Sequence, residues 1–515
     1  MRPMDPLTGV DAPSGAGGRG AGEAGAASAA VVETHISALL FLGDRVLKFR
    51  KPVRFGFLDF SDLATRAEDC RREVALNRRL APDVYLGVAD VSVGGVTVDH
   101  AVVMRRLPAS RRLSALVGDA ATARSCVRQV ARVLVAFHAG AARGPDIDRA
   151  AGPRALLAAW RANRAELAPF VGAVLDEATD AAIGEMAERY LQGRGPLLRD
   201  RVARGHVCDG HGDLQAEDVF CLDDGPRILD CIEFDDRLRH VDVAADLAFM
   251  LMDLERLGRP ELARALRADY EELAGTVLPG SLLHHYVAAR AYVRAKVGCL
   301  RAAQGGPGAA EAARAVHRLA ADHLGAATVR LVLVGGLPGS GKSVLADGLG
   351  TALDADVLRT DEVRKELAGV PVDRPSPSAY GSGLYGAGWT AATYATVLDR
   401  ARVAVGMGRS VVVDASFTDR AWRQQAGVVA RETASVLTEL QLRVDPTVAA
   451  ARMQRRRQAG ERLSDATAAV AAAMAAAADP WPAARPVDAS GPPERTLALA
   501  LDALGLSGTG GCPAA

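Results

Sequence analysis

Apolar and polar positions change their period several times along this chain, and each change marks an element. Short alternating runs flank Gly43-Asp44, which predicts two strands, 38–42 and 45–49, around a tight turn. Residues 61–80 switch to apolar positions three or four apart behind Ser61-Asp62, the pattern of a capped helix. A β-rich stretch, 84–103, follows and turns at Gly94-Gly95. Residues 120–140 and 154–192 have the spacing of amphipathic helices, with His138 a packing or capping residue at the end of the first. Two brief apolar runs, 219–221 and 227–231, surround Asp223-Asp224-Gly225 as in a hairpin. Helical spacing then returns at 239–257, 282–301 and 309–324, interrupted by the glycines of 304–308.

Beyond residue 326 strand-length apolar runs alternate with helical spacing. The runs are 329–334, 357–360, 410–414, 436–444 and 487–489. This alternation predicts an α/β domain with a doubly wound parallel sheet and ligands at the strand carboxyl ends. Its first run enters Gly336-Leu337-Pro338-Gly339-Ser340-Gly341-Lys342-Ser343, a GxxxxGK[ST] phosphate loop without a mismatch. Glycines there let backbone N–H groups turn inward around a polyphosphate, and the following helix adds the partial positive charge of its N-terminus. Lys342 reaches the β/γ-phosphates and Ser343 places a hydroxyl on Mg²⁺, so the expected cofactors are ATP and Mg²⁺. Asp414, ending the 410–414 run, holds Mg²⁺ or its water.

One further pair of residues in this domain is similar to an element of P-loop kinases of the polynucleotide-kinase, gluconate-kinase and zeta-toxin type. Asp361 and Arg364 stand where those proteins carry a D-x-x-R substrate element, which implies that Asp361 activates an acceptor hydroxyl and Arg364 holds the acceptor. An N-cap aspartate with a helix-face arginine is the plain alternative. Residues 371–388, rich in Pro, Gly, Ser and Tyr, have the composition of a substrate loop. Arg452 and Arg456, one turn apart, resemble the arginines of a kinase lid, although an ordinary basic helix face gives the same pattern.

The first half carries a second group of chemical residues. Asp213 and Asp218 precede the hairpin and Asp230 ends its returning run, so three carboxylates are expected to converge. Close carboxylates repel one another unless cations neutralise them, which points to Mg²⁺ and a phosphate-bearing ligand. A solvated acidic hairpin is the competing reading. Strands, one helix, more strands and a connector is the order of a protein-kinase-like N-lobe, in which a strand lysine grips phosphates and a helix glutamate orients it. Lys48 and Glu73 fit those places, with Lys51 the competing lysine, and no GxGxxG loop joins the strands 38–42 and 45–49.

HGDLQAEDVF…ILDCIEFDD resembles the catalytic segment of the aminoglycoside phosphotransferase family, small-molecule kinases with the protein-kinase fold. The resemblance implies that Asp213 is the base for a substrate hydroxyl, that Asp230 is the principal Mg²⁺ ligand, and that Asp246 supports the loop. Asp218 stands where the family has a metal-binding Asn, and Gln215 where it often has His. Arg290, Arg294 and Lys296 lie on one later helix, facing either an anionic or hydroxylated substrate or the solvent.

Composition narrows the partners. Basic and acidic residues balance at 62 each, so no basic field favours nucleic acid. The seven cysteines form no CxxC pair, and reduced buried thiols are the expected state. No apolar run is long enough to span a membrane, and the N-terminal tail lacks an apolar signal core, so a cytoplasmic protein is expected. The expected architecture is a disordered tail (1–30), an α+β aminoglycoside phosphotransferase-like kinase domain (31–325), a P-loop kinase-like ATP-binding domain (326–505) and a disordered tail (506–515). The expected activity is ATP- and Mg²⁺-dependent phosphoryl transfer to a hydroxyl of a small molecule. The rival readings are a nucleotide-binding regulator in which one half lacks transfer activity, and a nucleotide or nucleic-acid kinase.

Overall fold

The computed structural model describes residues 30–33, 36–55, 58–371, 383–458 and 468–506, with the side chains of 55, 58, 456–458 and 468 outside that description. The chain divides into two compact units. The first comprises residues up to 326 apart from 188–197 and 279–281; those two short segments group with residues 327 onward in the second.

The first unit begins with a five-stranded antiparallel sheet in the order Ala30–Glu33, Ser37–Leu42, Arg45–Arg50, Val96–Arg105, Tyr85–Val93. Strand alternation puts Val46, Lys48 and Arg50 on the buried face of Arg45–Arg50. Lys51 falls outside this set and bonds instead to the exposed Glu33, at 2.8 Å. Helix Leu63–Asn77 starts where the Asp62 carboxylate accepts from the Thr65 N–H. It packs on the sheet through Cys70 and Val74, against Leu39, Val46, Tyr85, Val102 and Met104. Burying each such side chain contributes on the order of 1.5–3 kcal/mol.

Two short ladders follow, Val219–Leu222 with Gly225–Ile228 and Val207–Asp209 with His240–Asp242. The returning strand of the hairpin therefore ends at Ile228 instead of continuing to residue 231. Asp230 lies beyond it with φ +63°, a left-handed conformation that breaks the ladder and re-aims its side chain. Helix Val243–Arg256 is buried along nearly its whole length and packs on Pro260–Ala274, which also packs on Ala120–Gly140. Cys126 and Cys221 form a disulfide between Ala120–Gly140 and the hairpin, so reduced thiols do not describe that pair; Cys70, Cys208, Cys231 and Cys299 are free and buried.

The second unit holds a five-stranded, fully parallel sheet in the order Asp356–Arg359, Val411–Asp414, Arg330–Gly335, Val436–Arg443, Arg485–Asp488. Helices cover it, as a doubly wound fold requires. Val332, Val334, Val412 and Leu440 are buried in a core closed by Leu345 and Leu349 of helix Lys342–Leu353. Register pairs Val334 with Asp414, which brings the phosphate loop and Asp414 to the same sheet edge. Among the described residues no helix is long and apolar enough to cross a membrane.

Candidate active site

Lys48 is the centre of the first unit's site. Its Nζ lies 2.8 Å from Glu73 Oε1 and 2.9 Å from Asp230 Oδ1. Burial works against the Lys48 ammonium, but Asp230 and Glu73 outweigh it and hold its pKa well above the ordinary value. Arg50, two residues along the same strand face, is buried and was not singled out from sequence. Its guanidinium bonds Asp69 (2.5 Å), Glu73 Oε2 (2.6 Å), the Ser37 hydroxyl (2.9 Å) and Glu233. Glu73 is thus clamped from both sides, by Lys48 and by Arg50. The signal for Arg50 was the two-residue spacing from Lys48, but arginine is too common in this chain for spacing to mark it.

The loop carrying Asp213 is built on Asp246. The Asp246 carboxylate accepts from the N–H groups of His211 and Gly212, both at 2.8 Å, and pairs with His138 Nε2 at 3.1 Å. Burial would raise this carboxyl; the His138 bond, the His138 and His211 charges and the backbone donor at His211 reverse the sign and hold it well below the usual range. His138 is itself buried and bonds Tyr270 Oη at 2.9 Å, which makes it a packing residue. Gly212 turns the loop at φ +89°, where a Cβ would come within 2.8 Å of the Leu238 carbonyl oxygen.

Burial raises the Asp213 carboxyl to about 6, with Arg294 pulling it down and Asp230 pushing it up. Asp218 is raised by burial and then by Asp230 and Asp213. Asp230 is lowered, first by Lys48. The three carboxylates therefore act on one another. They do not form a ready-made cage, since among the described residues no three His, Cys, Asp or Glu side chains are grouped to hold a metal ion. Asp230 is already paired with Lys48. An all-oxygen set of one or two carboxylates still fits Mg²⁺, which keeps water and substrate oxygens in its shell.

Helix Gly280–Ala303 brings Arg290 and Arg294 to the same place: both are half-buried, and the charges of both act on Asp213. Lys296 belongs elsewhere, bonded to Asn163 Oδ1 at 2.7 Å and Glu166 at 3.1 Å.

In the second unit Gly336, Gly339 and Gly341 all have positive φ, at +152°, +80° and +91°. A Cβ on Gly339 would meet the Ala449 carbonyl oxygen at 2.8 Å, so only glycine fits this close crossing. Lys342 Nζ reaches back across the loop to the Leu337 carbonyl at 3.2 Å, and Pro338 lies between these two residues in the turn. Ser343 is exposed in the helix's first turn. The Ser340 hydroxyl is buried without a partner among the described residues, an orphan that suits an oxyanion ligand. Asp414 is buried, with Arg359 Nε 3.8 Å away. Asp361 reaches solvent, yet crowding raises its carboxyl while Arg364 and Lys342 pull it down.

Arg364 is buried and partly engaged, with its Nε left without a partner among the described residues. Its Nη1 bonds the Leu384 carbonyl (3.0 Å) and the Thr390 hydroxyl (3.3 Å), and its guanidinium lies over Tyr385. Arg452 bonds the Gly491 carbonyl at 3.1 Å, and its Nη1 lies 3.7 Å from where a Gly341 Cβ would be. The side chain of Arg456 lies outside the described residues, as does most of the expected substrate loop.

Residues 43–281 match the model of a family described as "Phosphotransferase enzyme family", and residues 331–481 match one described as "AAA domain". With these matches, the two folds define a kinase-type phosphotransferase: an aminoglycoside phosphotransferase-like domain followed by a P-loop kinase-like domain. Uncharacterized proteins of Mycobacterium bovis and Mycobacterium tuberculosis are 40% identical over 471 residues, 91% of this chain and 94% of theirs. The chain belongs to the same family as these relatives. Solved structures with some likeness include a sugar kinase from Janibacter sp. (19% identical, 35% of this chain and 96% of that chain, TM-score 0.27). A choline/ethanolamine kinase family protein from Mesorhizobium loti is 16% identical over 58% of this chain and 92% of its own (TM-score 0.36). An aminoglycoside phosphotransferase from Streptomyces rimosus, solved with ADP and streptomycin, is 15% identical over 51% and 90% (TM-score 0.32). Likenesses this distant carry no argument about the ligands of this chain.

Proposed function

We propose that the first unit transfers the γ-phosphoryl group of ATP to a hydroxyl of a small molecule, with Mg²⁺ as cofactor. The observation that carries this reading is Lys48 held between Glu73 and Asp230 at 2.8 and 2.9 Å. In phosphoryl transfer a lysine oriented by a helix glutamate grips the α/β-phosphates, and most of the catalysis is positioning and charge stabilisation. Asp213 accepts the proton of the acceptor hydroxyl; its raised carboxyl, near 6, suits a base working at neutral pH. Asp230 and Asp218 are the residues that would hold Mg²⁺, which when bound neutralises phosphate charge and screens the repulsion between them. Asp218 leaves one more negative charge beside the phosphates than Asn would, so its neutralisation by a cation matters more here.

In the second unit residues 336–343 cradle the polyphosphate of another nucleotide, Ser343 and Asp414 would hold its Mg²⁺, and Arg452 caps the loop. Asp361 remains the base in this reading. Arg364 holds the 384–390 segment through Nη1, and its remaining nitrogens would hold the acceptor.

The test is product formation from ATP with a panel of hydroxylated small molecules, comparing wild type with Asp213→Ala. Loss of transfer in the variant, with its fold intact by circular dichroism, is expected. Transfer that proceeds unchanged without Asp213 would remove this site from the chemistry.

A further inference from the structure

Buried and half-buried arginines in the first unit are commonly matched by a carboxylate. Arg201 bonds Asp242 at 2.5 and 2.8 Å, Arg239 bonds Asp209 at 2.8 Å, and Arg227 bonds Asp83 at 2.7 Å. Arg290 and Arg294 break this pattern. Among the described residues neither makes a hydrogen bond or ion pair, and Arg290 rests only on the Phe249 ring, 5.0 Å from centroid to Cζ. They stand four residues apart in helix Gly280–Ala303, hence on one face.

The carboxylates whose charges reach them are Asp246, Asp253 and Asp213. Asp246 is already saturated by His211, Gly212 and His138. Asp253 accepts from the Ala216 N–H at 2.9 Å and from Arg256 at 2.8 Å. That leaves Asp213 alone against two guanidinium groups. Both guanidinium groups thus keep open donors beside the residue assigned above as the base, and their planar fork matches carboxylate and phosphate oxygens.

We propose that the Asp213 site takes an acceptor bearing a carboxylate or phosphate beside its reactive hydroxyl, and that Arg290 and Arg294 bind that anionic group. The proposal rests on the phosphotransferase reading of this site. It specifies the acceptor's charge, and it disfavours polycationic aminosugars.

Glucuronate, glucose 6-phosphate, glucose and glucosamine share a hydroxylated ring and differ in charge. Their binding to the full-length protein, measured by calorimetry with Mg²⁺ and a non-hydrolysable ATP analogue saturating, tests the proposal. One of the two anions is expected to bind at least about tenfold more tightly than glucose, the scale of one charge-assisted hydrogen bond; which anion wins separates carboxylate from phosphate. Arg290→Gln and Arg294→Gln should each erase most of that preference while leaving affinity for the analogue unchanged. Equal binding of all four, no binding of either anion, tighter binding of glucosamine, or a preference that survives both substitutions would overturn it. If Arg294 serves only to keep Asp213 ionised, Arg294→Gln will move the acidic limb of the rate profile to higher pH without changing the preference, which also contradicts the proposal. Asp213→Ala keeps the two readings apart: transfer should vanish in it while the anion preference persists.

Discussion

At the scale of single residues, the chemistry turns on where burial and charge leave each carboxylate. Asp230 is lowered by Lys48, Asp246 by its donors, and Asp213 is raised to about 6 by burial. A base must be deprotonated, so kcat/KM at saturating Mg²⁺ should rise about tenfold per pH unit below 6 and level off above it. Asp213→Asn should lower kcat by a factor on the order of 10²–10⁴ and abolish that acidic limb. A flat profile through pH 6 would show that another group takes the proton. Asp213 and Asp230 stood out in the sequence by the spacing of a motif, whereas Lys48 and Glu73 stood out only by the order of strands and helix around them. Arg50 did not. Its role comes from three carboxylates on other elements, Asp69, Glu73 and Glu233, and no local pattern announces them.

At the scale of elements, the buried ion cluster ties strand Arg45–Arg50 to helix Leu63–Asn77 and to the segment bearing Glu233. Burial raises Glu233 to about 7 even with Arg50 beside it, so these acids depend on that one guanidinium. Arg50→Met should therefore cost about 3–5 kcal/mol of stability, measured by urea denaturation, because it strands buried carboxylates. A loss below about 1 kcal/mol would mean that the cluster is solvated. The phosphate loop offers a backbone counterpart. Gly339→Ala introduces a Cβ at φ +80°, 2.8 Å from the Ala449 carbonyl oxygen. It should weaken one of two nucleotide-binding phases by on the order of tenfold or more, as strain of about 1–3 kcal/mol implies, and leave the other alone. Capping by Asp62, the Gly43 and Gly94 turns and the five parallel strands were all readable from period and turn residues. The end of the hairpin was not, because a left-handed Asp230 is a tertiary choice, stabilised by its ion pair with Lys48. The Cys126–Cys221 pair joins positions 95 residues apart, beyond the reach of any local signal.

For the whole molecule, the proposed function gives each unit a nucleotide site of its own. Equilibrium titration with a non-hydrolysable ATP analogue should give two equivalents for wild type and one for Lys342→Ala, since that lysine carries the contact to the β/γ-phosphates. Two undiminished equivalents in Lys342→Ala would remove the phosphate loop from the account. Both folds were visible in the sequence because each rests on long periodic runs and a compact motif. Acceptor identity was not, since Arg290 and Arg294, the residues proposed to bind the acceptor, follow no spacing rule of their own. The most direct test of the account is transfer of the γ-phosphoryl group from labelled ATP to an accepted hydroxyl compound, measured in wild type, Asp213→Ala and Lys342→Ala. Transfer should be lost in Asp213→Ala and retained in Lys342→Ala; loss in Lys342→Ala with full activity in Asp213→Ala would contradict it.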